Sequence, residues 1–161
     1  MKKMRIMIFD DEELILALFK DFFSPTDYEV LTFREPVVCP IYDHRSGSCP
    51  ALFPCADAVI TDFRMPGMNG FELLEKQVRM GCALSIQSKA MMSGHCDETP
   101  QNDIRGKGYV FFQKPLRLSA IRQWMNECRE RTDLSISTLR QIPPRNGIAT
   151  WRLRREVPES T

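Results

Sequence analysis

The feature that most constrains the fold is a series of short apolar runs, each of which stops abruptly at polar residues. The runs occupy residues 5–9 (RIMIF), 28–33 (YEVLTF), 58–60 (AVI), 89–92 (KAMM) and 109–112 (YVFF). Their length and their β-branched and aromatic content are typical of buried strands. We therefore predict five strands, the first of which is followed at once by Asp10 and Asp11.

Segments with helical periodicity lie between these strands. The apolar residues at helical spacing are Ile15, Leu18, Phe19 and Phe22 in the first segment, Phe71, Leu74 and Val78 in the second, and Leu118, Ile121, Met125 and Cys128 in the last. Strands that alternate with helices form parallel βαβ units with right-handed crossovers. The sequence thus predicts an α/β fold with an open parallel sheet that is covered on both faces.

Two connections depart from this pattern. Residues 36–54 contain four prolines, which break a long helix and predict an irregular connection. Residues 94–108 have hardly any apolar side chain besides Ile104, so the helix there should be short and poorly anchored.

Composition excludes several classes of function. The chain has 161 residues, 43% of them hydrophobic, and a net charge of +1, which is typical of one soluble globular domain. The balanced charge argues against generic binding to nucleic acid or to an anionic membrane. No apolar run approaches the ~20 residues of a membrane span, and Asp10 to Glu13 interrupt the only stretch that resembles a signal peptide. We expect a cytoplasmic protein that binds neither membrane nor nucleic acid directly.

The polar residues that follow the strands predict a site. Asp10 with Asp11, Asp62, Ser93 and Lys114 each stand just past a different strand, and parallel strands bring such positions to one edge of the sheet. Clustered carboxylates keep protons or recruit a cation, and Mg²⁺ prefers oxygen ligands. A carboxylate can then act as a nucleophile toward phosphorus, with positive charge and a hydroxyl around the phosphoryl oxygens.

The residues that carry these features also carry a family resemblance. The acidic pair DD at 10–11, the block ITDFRMPGMNGFELL at 60–74, MMSG at 91–94 and FFQKP at 111–115 stand in order over about residues 4–131. In this the chain resembles a receiver domain of two-component response regulators, of the kind found in a chemotaxis regulator. The resemblance implies a flavodoxin-like (βα)5 three-layer sandwich with a parallel five-stranded sheet in the order 2-1-3-4-5.

The resemblance also implies a role for each matched residue. Asp62 would accept a phosphoryl group from a sensor histidine kinase or a phosphotransfer protein, and Ser93 and Lys114 would contact that group. The implied Mg²⁺ ligands are Asp10, largely through water, Asp11, Asp62 and the main-chain carbonyl of Arg64. Ser93 and Phe111 would form the switch, although Phe111 is equally explained as a core residue of the fifth strand.

The predicted function is that of a phosphoacceptor and not of an enzyme acting on a separate substrate. Self-dephosphorylation and a homodimer are compatible with it, and the signal would pass by conformational change to an unknown downstream protein target. The alternative is a pseudo-receiver or scaffold whose cysteine-rich loop (Cys39, Cys49, Cys55), which also holds His44, binds metal or senses redox state. An aspartyl phosphatase is disfavoured because its usual DxD arrangement is absent from DDEE at 10–13.

The chain divides by sequence into two parts. Residues 1–132 correspond to the receiver domain. Residues 133–161 form a carboxyl-terminal extension that is too short for a usual DNA-binding domain. Its segment 151–157 (WRLRREV) alternates apolar and basic residues, so we expect a partly disordered tail or a docking peptide.

Overall fold

The computed structural model describes residues 3–23, 25, 27–39, 48–49, 54–94 and 100–140, with side chains as far as Leu134. Five strands run over Met4–Phe9 (β1), Tyr28–Phe33 (β2), Ala58–Asp62 (β3), Lys89–Ser93 (β4) and Val110–Gln113 (β5). Four α-helices run over Glu13–Phe22 (α1), Gly70–Arg79 (α2), Gln101–Gly106 (α3) and Leu118–Arg140 (α4). Strands and helices therefore alternate as the apolar runs predict, except that the described residues between β2 and β3 contain no α-helix.

The five strands form one parallel sheet in the order β2-β1-β3-β4-β5. Ile8 of β1 stands opposite Thr32 of β2 on one side and Ile60 of β3 on the other. Ile60 in turn stands opposite Ala90, and Ala90 opposite Val110. This order confirms the flavodoxin-like fold, and it places β1 and β3, which lead to the acidic residues, side by side at the centre.

Two apolar cores cover the two faces of the sheet, because successive side chains of a strand point to opposite faces. Ile6 and Ile8 pack with the buried residues of α1 and α4 on one face. Met7 and Phe9 pack with the buried residues of α2 and α3 on the other. The central strands are buried on both faces, which explains why their sequences are nearly continuous apolar runs.

Two of the apolar residues at helical spacing are partly exposed. Leu18 in α1 and Val78 in α2 are each 39% exposed, whereas Leu73 and Leu74 are fully buried. Val78 therefore lies at the edge of the face that α2 buries. The inner face is instead completed by Gln77, whose amide has a polar partner in the interior.

The structure describes only part of the two connections that depart from the pattern. The described residues between β2 and β3 contain a single 3₁₀ turn, Pro36–Val38, and residues 40–47 and 50–53, including His44, lie outside the described part of the chain. Helix α3 has six residues, and Ile104 is its buried anchor. Among the described residues, no helix is both long and apolar enough to cross a membrane.

The last helix continues past the sequence boundary at residue 132. Ile121, Met125 and Cys128 are fully buried on its inner face, as their spacing predicts, and Trp124 joins them. The helix extends to Arg140, so the predicted extension begins within an element. Residues 141–161, including the segment WRLRREV, lie outside the described part of the chain.

Candidate functional site

The polar residues at the carboxyl ends of the strands gather around one lysine. Lys114, just after β5, places its Nζ 2.9 Å from Asp10 Oδ2 and 2.9 Å from Asp62 Oδ1. Its Nζ also lies 3.0 Å from Glu12 Oε1. Strands β1, β3 and β5 thus contribute to one pocket, which the sheet order brings together at a single edge.

Three carboxylates of this pocket lie close enough to share a cation. One carboxylate oxygen from each of Asp10, Asp11 and Asp62 lies within 4.8 Å of the other two. Asp10 is fully buried and Asp62 nearly so, while Asp11 is half-exposed. Because two of the three carboxylates are shielded from water, their mutual repulsion is poorly screened and favours a bound cation.

Burial shifts the titration of these groups. It raises the pKa values of both Asp10 and Asp62, and hydrogen bonds from Lys114 offset only part of that rise. Burial alone would lower the pKa of Lys114, but hydrogen bonds to Asp62, Asp10 and Glu12 outweigh it and raise that pKa. The pocket therefore holds its lysine as a cation while it disfavours a full set of negative charges.

The turn after β3 fixes the orientation of the Asp62 carboxylate. The main-chain N–H of Arg64 donates to Asp62 Oδ2 at 2.8 Å, which leaves Oδ1 to face Lys114. The N–H of Gly70 donates to the carbonyl of Phe63 at 2.9 Å, and a Cβ at Gly70 would collide with the main-chain oxygen of Asp62. A glycine at this position is therefore required for the start of α2 to fold back so closely on the strand.

Helix α2 begins at this turn with a complete capping box. The Asn69 side chain accepts from the N–H of Glu72 at 2.9 Å, and the Glu72 carboxylate accepts from the N–H of Asn69 at 3.1 Å. The sequence MNGFE therefore ends the turn and starts the helix at a defined residue. The backbone between Asp62 and α2 is anchored at both ends.

Ser93 and Phe111 occupy buried positions beside the pocket. Ser93 ends β4 and is 2% exposed, and its carbonyl accepts from the N–H of Lys114 at 2.8 Å. Phe111 in β5 is 7% exposed and packs in the core on the α2 and α3 side, with the Arg105 guanidinium 5.6 Å from its ring centre. Both are therefore near the site, with Phe111 turned into the core.

The structure thus brings together Asp10, Asp11, Asp62 and Lys114 and places the Ser93 main chain against Lys114. Arg64 stands two residues after Asp62, with its side chain exposed. Sequence reasoning missed Glu12, whose N–H donates to Asp10 Oδ1 at 2.8 Å and whose carboxylate reaches Lys114. The signal for Glu12 was present in the acidic run at 10–13, which continues past the matched pair.

Comparison with curated proteins finds a partial similarity in sequence to a response regulator. No protein-family model matches the chain. The two-component response regulator ARR17 of Arabidopsis thaliana is 41% identical over 64 residues, which are 39% of this chain and 41% of that protein. The chain thus matches less than half the length of that plant relative.

Solved structures show the likeness in fold over most of the chain. The signal receiver domain of a putative Luxo repressor protein from Vibrio parahaemolyticus has a TM-score of 0.67 at 16% identity, over 88% of this chain and all of that one. A response regulator receiver domain protein from Clostridium thermocellum has a TM-score of 0.62 at 22% identity, over 81% and 98% of the two chains.

A third structure combines similar fold with higher identity. An adenylate cyclase from Rhodopirellula baltica has a TM-score of 0.63 at 27% identity, over 88% of this chain and all of that one. The strand order of this chain is that of the receiver domains among these structures. The described part of the chain therefore has the fold of a response-regulator receiver domain.

Proposed function

We propose that this domain is the phosphoacceptor of a two-component pathway. A sensor histidine kinase or a phosphotransfer protein supplies a phosphoryl group, Asp62 accepts it, and the reaction depends on Mg²⁺. The phosphorylated domain then signals through contact with a downstream protein. Residues 1–132 carry this function, and residues 133–161 extend from it.

The observation that carries the proposal is the position of Lys114 between two buried carboxylates. Its Nζ lies 2.9 Å from both Asp10 and Asp62, and Asp11 is close to both acids. A purely structural lysine needs one such partner, whereas a phosphoryl-transfer site needs a cation beside the nucleophile and oxygen ligands for a second cation. The pocket supplies all of these groups.

The chemical step uses the oxygen of Asp62 that is not fixed by the main chain. Asp62 Oδ1 attacks the phosphorus of a phosphohistidine, the P–N bond breaks, and its electron pair returns to the imidazole nitrogen of the donor. The Arg64 N–H keeps Oδ2 in place during the attack. The Lys114 ammonium moves from the Asp62 carboxylate to an oxygen of the incoming phosphoryl group. The Ser93 hydroxyl is available to a second phosphoryl oxygen.

The acidic cluster fits a hard divalent cation. Asp10, Asp11, Asp62 and the main-chain carbonyl of Arg64 are all oxygen donors, which is the ligand set that Mg²⁺ prefers. Bound Mg²⁺ supplies positive charge that offsets the charge of the phosphoryl oxygens. The raised pKa values of Asp10 and Asp62 agree with a site built for more positive charge than Lys114 alone provides.

The proposed signal depends on Ser93 and Phe111. A phosphoryl group adds nearly two negative charges and three acceptor oxygens. The Ser93 hydroxyl would move toward it and leave space for the ring of Phe111, which is buried in the unphosphorylated state. Phe111 has no hydroxyl, so the proposed read-out is a change in packing.

Labelling with a small phosphodonor tests the proposal. The full chain is incubated with acetyl phosphate and Mg²⁺, and the intact mass is measured. We expect the mass of one phosphoryl group, removed by hydroxylamine as an acyl phosphate is, and at least a tenfold lower yield in Asp62→Asn. Asp103→Asn, an exposed aspartate in α3, is the matched control and should label like the unmodified chain.

The labelling also separates the alternatives. A label that survives in Asp62→Asn would contradict the assignment of the acceptor. A complete lack of label with acetyl phosphate and with a phosphorylated histidine donor would favour the scaffold.

A further inference from the structure

Four of the cysteines gather at the end of the sheet opposite the acidic pocket. Cys39 follows the 3₁₀ turn after β2, Cys49 and Cys55 belong to the connection that leads into β3, and Cys82 follows α2. Cys39, Cys49 and Cys82 pack against the core between the sheet and α2. The N–H of Cys49 donates to the carbonyl of Met80 at 2.6 Å, which ties the connection to the end of α2.

A buried lysine lies among these thiols. Lys89, the first residue of β4, is fully buried, and its Nζ donates to Cys82 Sγ at 3.2 Å and to Gln77 Oε1 at 2.6 Å. Gln77 Nε2 donates in turn to Cys39 Sγ at 3.6 Å. One hydrogen-bonded chain thus joins Cys82, Lys89, Gln77 and Cys39.

The charge of Lys89 requires a negative partner. An ammonium in the interior is costly unless it is paired, and within the described residues no carboxylate forms an ion pair with Lys89. The Cys82 sulfur is the group in contact with this ammonium that can carry a negative charge. An ammonium in this contact would stabilise the negative charge that develops on the Cys82 sulfur when it acts as a nucleophile.

The other thiols of the cluster differ from Cys82. Burial raises the pKa of the Cys55 thiol, and the neighbouring Cys49, Cys39 and Cys82 raise it further. Burial also raises the pKa of Cys128, which lies in the core on the other face of the sheet. Cys55 has no lysine ammonium as a described partner, and Cys128, whose Sγ accepts from Arg131 Nη2 at 3.1 Å, is fully buried and so shielded from reagents.

We propose that Cys82 is a redox-sensitive cysteine, activated by the ammonium of Lys89, that forms a reversible disulfide with Cys39 or Cys49. The Cys82 thiolate attacks one sulfur of a low-molecular-weight disulfide, and the other sulfur leaves as a thiolate. The second cysteine then attacks Cys82 Sγ and expels the remaining small thiol. The protein loses two thiol hydrogens and gains one S–S bond, while the small disulfide is reduced to two thiols.

The geometry argues against zinc as the ligand of this cluster. Within the described residues, the one group of three or more cysteine, histidine or acidic ligands drawn to a common centre is Asp10, Asp11 and Asp62. The ammonium of Lys89 would also repel a cation at Cys82. Disulfide exchange needs only two sulfurs to approach and is helped by the same ammonium, because it needs a thiolate.

The experiment treats the reduced full chain with oxidised glutathione and reads mass and cross-linked peptides. We expect a loss of two hydrogens, reversal by a dithiol, and one cross-link between the Cys82 peptide and the peptide of Cys39 or Cys49. In brief alkylation with iodoacetamide, Cys82 should react about tenfold faster than Cys128. A cross-link without Cys82, a cross-link from Cys82 to Cys55, Cys96 or Cys128, or one bound zinc per purified chain would overturn the proposal.

Two variants and a control separate the roles of the residues. Cys82→Ser should abolish the intramolecular cross-link, and Cys128→Ser, which removes a buried thiol outside the cluster, should leave it intact. Lys89→Met should slow alkylation of Cys82 about tenfold while the other cysteines react at their former rates. If Lys89→Met does not fold, the alkylation rates of Cys82 and Cys128 are measured in the native chain over a range of ionic strength and pH. Equal rates at the two cysteines throughout would contradict the proposed activation of Cys82. Phosphoryl labelling of Asp62 is a separate measurement, so either proposal can fail alone.

Discussion

Lys114 is the residue on which the charge balance of the acidic pocket depends. Its side chain is 15% exposed and contacts carboxylates of Asp10, Asp62 and Glu12. Lys114→Met keeps the apolar stem and removes the cation, so two buried carboxylates lose their main partner. We expect the free energy of unfolding at pH 7 to fall by about 3 kcal/mol, as measured by denaturant titration.

The pH dependence of that loss follows from the carboxylates. Without Lys114 the pKa values of Asp10 and Asp62, already raised by burial, rise further in the folded state. A carboxyl with a raised folded pKa destabilises the fold at high pH, and this cost is relieved as the pH falls through that value. The loss in Lys114→Met should therefore be smaller at pH 5 than at pH 7.

Lys107→Met, which removes an exposed lysine with one carboxylate partner, is the control and should lose less than about 1 kcal/mol at either pH. Equal losses in the two variants would contradict the role of Lys114.

At the scale of elements, a polar contact joins α2 to the start of β5. The Tyr109 hydroxyl donates to Glu75 Oε1 at 2.8 Å, and Lys107 forms an ion pair with the same carboxylate. Burial alone would raise the pKa of Glu75, but the bonds from Lys107 and Tyr109 outweigh it and lower that pKa. Burial and the bond to Glu75 raise the pKa of Tyr109. The ionised glutamate and the neutral tyrosine are thus the forms that link the two elements.

Glu75→Gln tests this link through pH. A carboxyl with a lowered folded pKa contributes stability above its unfolded value, and the contribution is lost as the pH falls through the folded value. We expect Glu75→Gln to cost less than about 1 kcal/mol at pH 7, because the site is partly exposed, and to cost nothing once Glu75 is protonated in acid. Thermal unfolding from pH 7 to pH 3 measures this difference. Glu130→Gln, an exposed glutamate in α4, should follow the unmodified chain, and a Glu75→Gln cost that grows toward acid pH would contradict the link.

The strands and the residues that follow them were predictable, because the apolar pattern of a buried strand does not depend on how the helices pack. Runs such as RIMIF are buried on both faces, and Asp10, Asp62 and Lys114 meet because parallel strands end at one edge. The exposure of Val78 was not predictable from its apolar spacing, because the buried position beside it belongs to Gln77, a polar residue with an internal partner. The hydrogen-bonded chain that links Cys82 to Cys39 through Lys89 and Gln77 was invisible in the sequence, because it depends on how α2 packs.

At the scale of the whole molecule, the sheet separates two chemically different ends. The carboxyl ends of the strands hold the acidic pocket, and the opposite end holds the buried Lys89 and its thiols. Strand β4 connects them, since it begins at Lys89 and ends at Ser93. A buried polar residue thus stands at each end of one strand. The two proposals assign a different class of ligand to each end: a hard cation and a phosphoryl group at one, a sulfur electrophile at the other.

Binding of Mg²⁺ should stabilise the whole domain through the acidic end alone. A ligand that binds only the folded state at ten times its Kd adds about 1.4 kcal/mol to the free energy of unfolding, which raises the melting temperature by a few degrees. We expect this rise in a Mg²⁺ titration of the full chain. We expect Asp11→Asn to abolish the rise. Asp11 is chosen because it is the half-exposed acid of the cluster and its replacement leaves Asp10 and Asp62 paired with Lys114. Cys82→Ser, a change at the opposite end, should keep the full response. A Mg²⁺ response that survives in Asp11→Asn would place the cation elsewhere. A response lost in Cys82→Ser would mean that the two ends are coupled through β4.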